Sequence, residues 1–188
     1  MSRHLSSTLL RAGLAVACLV SAAACGGELL RTGRAPVYLT INSITSGASA
    51  GPVRSDVKPT AFSNDVATAQ IGVVAKDTAV ATTTMNAVTL TRYHVTYVRS
   101  DGRNTPGVDV PFGFDGGLGQ TIAAGSNANV TFELVRTQAK LEPPLRNMST
   151  QGGLAFLNTI AQITFYGRDQ NGNEIIVSGN VDIVFGDF

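Results

Sequence analysis

Asn171-Gly172 stands between two apolar runs, Ile160 to Tyr166 and Ile175 to Phe185, and no other feature of the chain constrains its fold as tightly. The pair suits the positive φ angles of a tight hairpin turn, so the flanking runs are expected to return on one another as antiparallel strands. The turn is Asp169-Gln170-Asn171-Gly172, between strands at about 158–167 and 174–185, with Ser178-Gly179 as a candidate bulge.

The rest of the body repeats the period-2 pattern of half-buried strands. Val37, Leu39 and Ile41 alternate with Tyr38, Thr40 and Asn42 over 37–44. A second strand is expected at about 67–76, around Ile71, Val73 and Val74, followed by the threonine-rich Thr78 to Thr84. The clearest is 88–99, where Val88, Leu90, Arg92, His94, Thr96 and Val98 point one way. Thr89, Thr91, Tyr93, Val95, Tyr97 and Arg99 point the other, and the Tyr93-Val95-Tyr97 row is expected to face the core or a partially covered sheet face. A further strand is expected at 129–137, closed off by Pro143-Pro144.

Between these lie turns and breakers. Residues 45–65 read as a loop broken by Pro52 and Pro59, with a short strand near Lys58 to Phe62 as one option. Ser100 to Asn104 is a turn about Gly102. Val108, Val110 and Phe112 form a short edge strand limited by Pro111, Gly113 to Gly119 is a glycine-rich loop containing Asp115, and 120–123 pair briefly. Residues 145–153 are irregular, with room for one helical turn. Seven or eight short strands and no helix of ordinary length predict an all-β fold. The expectation is an antiparallel immunoglobulin-like or fibronectin-type β-sandwich, with a small β-barrel as the alternative. The chain has no Trp, so the Cys…Trp…Cys marker of antibody domains is missing and the likeness is architectural.

The N-terminal segment is of another kind. Arg3, His4 and Arg11 precede an uncharged, mostly apolar stretch from Ala12 to Ala24. A basic start, a short apolar run and small residues before a cut are the marks of a secretory signal, and the run is shorter than the ~20 residues a spanning helix needs. Ala22-Ala23-Ala24-Cys25 resembles the lipobox of bacterial lipoprotein signals, although Ala22 stands where Leu is usual. Cys18, after Ala15-Val16-Ala17, is the rival position and leaves a shorter apolar run. The resemblance implies cleavage before Cys25, a thioether-linked diacylglycerol on its sulfur and acylation of the new amine. Several acyl chains give stable attachment where one gives marginal binding. Gly26 rather than Asp after the cysteine implies sorting to the outer membrane in a bacterium with two membranes. The expected organisation is a signal peptide at 1–24, a lipidated tether at 25–35 and a single sandwich domain at 36–188.

Charge and composition exclude several classes. There are 14 Lys and Arg against 13 Asp and Glu, without a block of either sign, so neither a nucleic-acid footprint nor a polybasic membrane patch is present. Beyond the signal, Cys25 is the only cysteine and His94 the only histidine. An intrachain disulfide and a Cys/His zinc site are thereby excluded from the mature chain.

The remaining polar residues suggest binding before catalysis. No nucleophile elbow, P-loop or dinucleotide fingerprint is present, so no cofactor is expected. Asp169, Asn171 and Asn173 sit at alternate places as in the start of a calcium loop, but Gly172 falls fourth instead of sixth, and turn chemistry accounts for them; no metal site is expected. His94 lies mid-strand without a nucleophile motif. Asp101, Arg103, Asp109 and Asp115 gather between residues 100 and 117 and form the candidate interaction loop, because loops on a rigid sandwich commonly carry binding. Carboxylates here would serve glycosidase-type hydrolysis only if two of them stood about 5–10 Å apart in a cleft. The sequence therefore predicts a non-enzymatic envelope lipoprotein with a structural or protein-interaction role. Its partners would be the membrane, through the anchor, and an envelope protein. A carbohydrate- or calcium-binding module is the alternative.

Overall fold

The computed structural model describes residues 33–47, 51–58, 63–149 and 156–188, and within them the alternating runs form eight strands in two facing sheets. The first sheet has the order β1-β3-β6: β1 (Val37–Thr45), β3 (Asp65–Ala75) and β6 (Asn127–Val135). The second has the order β2-β8-β7-β4-β5: β2 (Val53–Asp56), β8 (Glu174–Gly186), β7 (Leu157–Asp169), β4 (Val88–Val98) and β5 (Phe114–Ile122). Neighbours are antiparallel except β2, which runs parallel to β8. Lettered as in an immunoglobulin domain, the sheets are A-B-E and A′-G-F-C-C′. This is an immunoglobulin-like sandwich whose strand after C stays beside C. β5 and β6 are not hydrogen-bonded neighbours, so the sheets do not close into a barrel. The signal segment, the lipobox and Cys25 lie outside the described residues. No helix among those described is long and apolar enough to cross a membrane.

The core is the inner faces of the two sheets. Ile71 and Val73 from β3, Phe132 and Leu134 from β6, Val95 from β4, and Ile163 and Phe165 from β7 are buried there. Phe165 meets Phe132 edge-on at 5.2 Å between ring centroids, and Phe132 meets Tyr93 at 5.3 Å. Such pairs add about 0.5–1.5 kcal/mol each beyond the area they bury. This cluster fills the middle of the sandwich in a chain without tryptophan.

β4 departs from strict alternation. Its register slips between Leu90 and Arg92 in the pairings with both β5 and β7. The bulge turns the strand over, so Val88 and Leu90 are buried together with Tyr93, Val95 and Tyr97. An unbroken strand would put these two groups on opposite faces, as the sequence pattern predicts.

Three other expectations need correction. Within the 45–65 stretch Val53–Asp56 is a short strand, and the option near Lys58 to Phe62 falls on residues 59–62, which lie outside those described. Gly113 to Gly119 is not a loop: from Phe114 it is β5, with Asp115 on the strand opposite His94. Val108 to Phe112 is not a strand but a turn closed by a single bridge between Pro106 and Val110. Ser178-Gly179 is not a bulge, because β7 and β8 stay in register through it; Gly179 instead lets Ile41 pack close, and a Cβ there would lie 2.8 Å from Ile41 Cδ1. In the connection from β6 to β7, α1 (Thr137–Lys140) and α2 (Leu145–Ser149) are short helices; the end of the expected irregular stretch, 150–153, lies outside the described residues.

The pairings fix which loops share an end. Val37 lies opposite Ala75, and Val88 lies beside both Asp169 and Ile122. The entering chain, the β3–β4 connection, the β5–β6 turn and the 170–173 turn therefore gather at one end. Val98, Val135 and Leu157 reach the other, which carries the β4–β5 and β6–β7 connections. Ala35 is already buried, and Lys76 donates from its backbone N–H to Pro36 O at 2.9 Å and from Nζ to Gly33 O at 3.3 Å. Residues 33–36, where the tether is expected to end, are thus already tied to the body.

Candidate functional site

The β4–β5 connection starts where β4 ends at Val98 and returns to the sheet at Phe114. Its first turn is held by Asp101. The Asp101 carboxylate accepts from Arg99 Nε at 3.0 Å, from Arg103 Nη2 at 2.9 Å and from the Arg103 backbone N–H at 3.2 Å. The Arg99 and Arg103 guanidiniums hold the Asp101 carboxyl well below the usual carboxylate range, with the Arg99 hydrogen bond the larger cause. Gly102 sits at φ +80°, which is what lets so short a turn close.

A second turn follows. Thr105 O accepts the N–H of Asp109 at 2.9 Å, the Asp109 carboxylate accepts the Thr105 N–H at 3.2 Å, and Gly107 N–H donates to Val110 O at 2.8 Å. Val110 is buried and pins the turn to the body, while Val108 is 67% exposed and Phe112 53% exposed. The Phe112 ring lies on Gly107, where a Cβ would meet it at 2.4 Å. The result is a braced loop with two apolar side chains facing solvent.

Asp115 belongs to neither turn. On β5 it accepts from Arg92 Nη1 at 3.1 Å and lies 3.2 Å from His94 Nδ1, both on the outer face of β4. Arg136 reaches the same place from the end of β6: its guanidinium stacks 4.0 Å over the Phe114 ring and donates to the carbonyl of Asp115. A backbone acceptor on an open strand edge is thereby covered by a cation. Arg92 also stacks over the Tyr166 ring at 3.7 Å.

The four residues singled out by the sequence thus fall in three places. Asp101 and Arg103 bind each other, Asp109 caps its own turn, and Asp115 joins a sheet-face cluster with Arg92 and His94. The chemistry of each follows. A general acid needs a carboxyl whose acidity is weakened, whereas the arginines at Asp101 strengthen it. Asp169 is spent in the same way: it accepts from the backbone N–H groups of Asn171 at 2.9 Å and Asn173 at 2.8 Å, and from Asn173 Nδ2 at 2.7 Å. Those donors occupy the oxygens a calcium ion would need. Among the described residues, no three His, Cys, Asp or Glu side chains converge as a metal site.

Val108 and Phe112 were hidden from sequence reasoning because their spacing imitates a strand. The Arg136–Asp115 contact joins residues with no local relationship in sequence and leaves no signal there. The chain matches no known protein-family profile, no curated protein and no solved structure.

Proposed function

We propose that the chain is a lipid-anchored bacterial cell-envelope protein, held at the outer membrane through Cys25. Its sandwich is a non-enzymatic interaction module that meets an envelope protein through the β4–β5 connection. One observation carries this reading: the connection is internally braced and presents Val108 and Phe112 at the end of the sandwich away from the entering chain. Apolar side chains held on a rigid loop within a polar rim lose little freedom on association. In this reading Asp101, Arg103 and Asp109 hold the loop in shape and the two apolar residues make the contact.

Two measurements test it. Mass spectrometry of the mature N-terminus is expected to give a diacylglyceryl-modified Cys25; an unmodified terminus removes the anchor. Photo-crosslinking in cells from positions 108 and 112, compared with position 171 at the other end, is expected to capture one partner from the loop alone. Capture through the 169–173 turn only, or equal background from both ends, removes the contact assignment.

A carbohydrate-binding reading finds support in a polar depression of about 160 Å³ lined by Arg92, Tyr166, Arg168 and Glu174. Against it, Arg92 covers the face of Tyr166 on which a sugar would stack. A glycan panel that raises the melting temperature would favour this reading.

A further inference from the structure

The end of the sandwich where the chain enters differs in chemistry from the opposite end. The β3–β4 connection exposes Val80 at 64% and Met85 at 47%, and no charged residue occurs from Thr78 to Thr91. The β5–β6 turn lies beside it, with Gly125 N–H donating to Val73 O at 2.8 Å, and the sequence from Gly116 to Phe132 is equally free of charge. A groove of about 500 Å³, walled by Val73, Ala75, Val80 and Ala81, separates the two. The far end holds Arg99, Asp101, Arg103, Arg136 and Lys140, whereas at this end the charged residues, Arg34, Lys76, Asp77, Arg168, Asp169 and Glu174, stand outside those two stretches. A compact protein in water seldom sets exposed apolar residues inside a charge-free zone unless something covers them.

The path of the chain says what covers this zone. Lys76 binds Gly33 and Pro36, so Gly33, eight residues after Cys25, is held beside the β3–β4 connection. From Cys25 to Gly33 an extended chain spans at most about 28 Å. An anchored body is therefore confined near the bilayer with this end able to face it. Arg34 and Lys76 flank the zone and supply cations for anionic headgroups, with the carboxylate of Asp77 next to Lys76 and accepting the Ala79 N–H at 2.9 Å.

We infer that this end of the sandwich docks on the bilayer itself, with Val80 and Met85 entering the interfacial region of the lipid. The inference rests on the anchor reading above for its geometry. It makes the protein a two-point membrane binder, and it fixes the orientation in which the β4–β5 loop is presented away from the surface.

The absence of tryptophan provides the test. In the full chain with Cys18→Ser, Val80→Trp is a sole reporter, and Met85→Trp is a second should the first fail to fold. Each variant is coupled through Cys25 to maleimide lipid in phosphatidylethanolamine–phosphatidylglycerol vesicles, which tethers it whether or not cells acylate it. The expected result is a blue-shifted emission that lipids brominated near the headgroup quench. Val108→Trp at the other end should keep a solvent-exposed spectrum. Emission at positions 80 and 85 that vesicles leave unchanged, or an equal response at position 108, overturns the inference. An unacylated Cys25 in cells overturns the anchor reading alone.

Discussion

Tyr97 on β4 donates its phenolic hydrogen to the main-chain carbonyl of Leu134 on β6, 2.7 Å away across the space between the sheets. Four residues earlier, Tyr93 Oη accepts the backbone N–H of Glu133 at 3.1 Å. Two tyrosines of one strand thus bind consecutive residues of a strand in the opposite sheet. Their hydroxyls set how the sheets align, and their rings fill the core between them. Apolar packing alone would allow the sheets to slide; directed bonds do not.

Tyr97→Phe keeps the ring and leaves the Leu134 carbonyl without its donor, so urea denaturation should show a loss of about 1–3 kcal/mol. Burial pushes the Tyr97 hydroxyl above its ordinary value near 10. The folded state therefore retains a proton that the unfolded chain releases. The contribution is complete below about pH 10 and declines as pH rises further. Wild-type stability should fall across that range more steeply than that of Tyr97→Phe. Parallel curves for the two proteins would show that the hydroxyl is not the titrating group.

A buried ion pair braces the end that carries the candidate loop. Lys140 Nζ lies 3.1 Å from both carboxylate oxygens of Asp65, and the Lys140 side chain is only 1% exposed. Ser55 on β2 donates to the same carboxylate at 2.5 Å. One carboxylate thus ties the short parallel strand, β3 and α1 together. Asp65→Ala strands a buried ammonium and should cost about 3–5 kcal/mol, whereas Asp65→Leu combined with Lys140→Met should recover most of that loss. Chemical denaturation midpoints of the three proteins measure it. A double variant no more stable than Asp65→Ala would mean that the charges themselves are needed.

Gly116 sits opposite Tyr93 in the β4–β5 register, and a Cβ at Gly116 would come within 2.2 Å of Tyr93 Cζ. Gly116→Ala should push that ring out of its cluster with Phe132 and Phe165, at about 1–3 kcal/mol. Gly117→Ala, one residue on, meets nothing within 4 Å and should be close to neutral. Thermal unfolding of the two variants separates a packing role from a general glycine effect in the strand.

This contrast also marks how far the sequence could be read. The β7–β8 hairpin is legible because its cause, Asn171-Gly172 between alternating runs, is local. Gly172 does take a positive φ, +82°. β5 is not legible, because its Gly116 makes room for a tyrosine on a different strand, and glycine on its own reads as a loop. β2 is four residues long and pairs Val53 with Ile183 in parallel, a partner too distant in sequence to leave a pattern. At the candidate site the same rule holds. Asp101 and Arg103 are two residues apart and readable as a turn. Asp115 with Arg92 and His94 exists only once β4 and β5 are paired, and the exposure of Val108 and Phe112 only once Val110 is anchored.

The Asp101 turn makes the last prediction, and it concerns acid. The hydrogen bonds from Arg99 and Arg103 hold Asp101 as a carboxylate below the pH at which an ordinary aspartate takes up a proton. For a carboxyl depressed in this way, the stabilising contribution is present above the unfolded value, about 3.9, and is lost as pH falls through the lower folded value. The loop should therefore keep its shape through mildly acidic conditions. The Arg103 backbone N–H, which donates to Asp101, reports this directly in a proton–nitrogen NMR spectrum. Its resonance should stay fixed from neutral pH to about pH 4 and move only below that. Asp101→Asn should place that resonance at a different position already at neutral pH and speed its hydrogen exchange, without moving the amides of the buried Val95 and Ile163. An Arg103 resonance that titrates in wild type between about pH 5 and 4, as a free aspartate would drive it, would show that the arginines do not hold the turn in solution. The rigid presentation of Val108 and Phe112 would then lack its support.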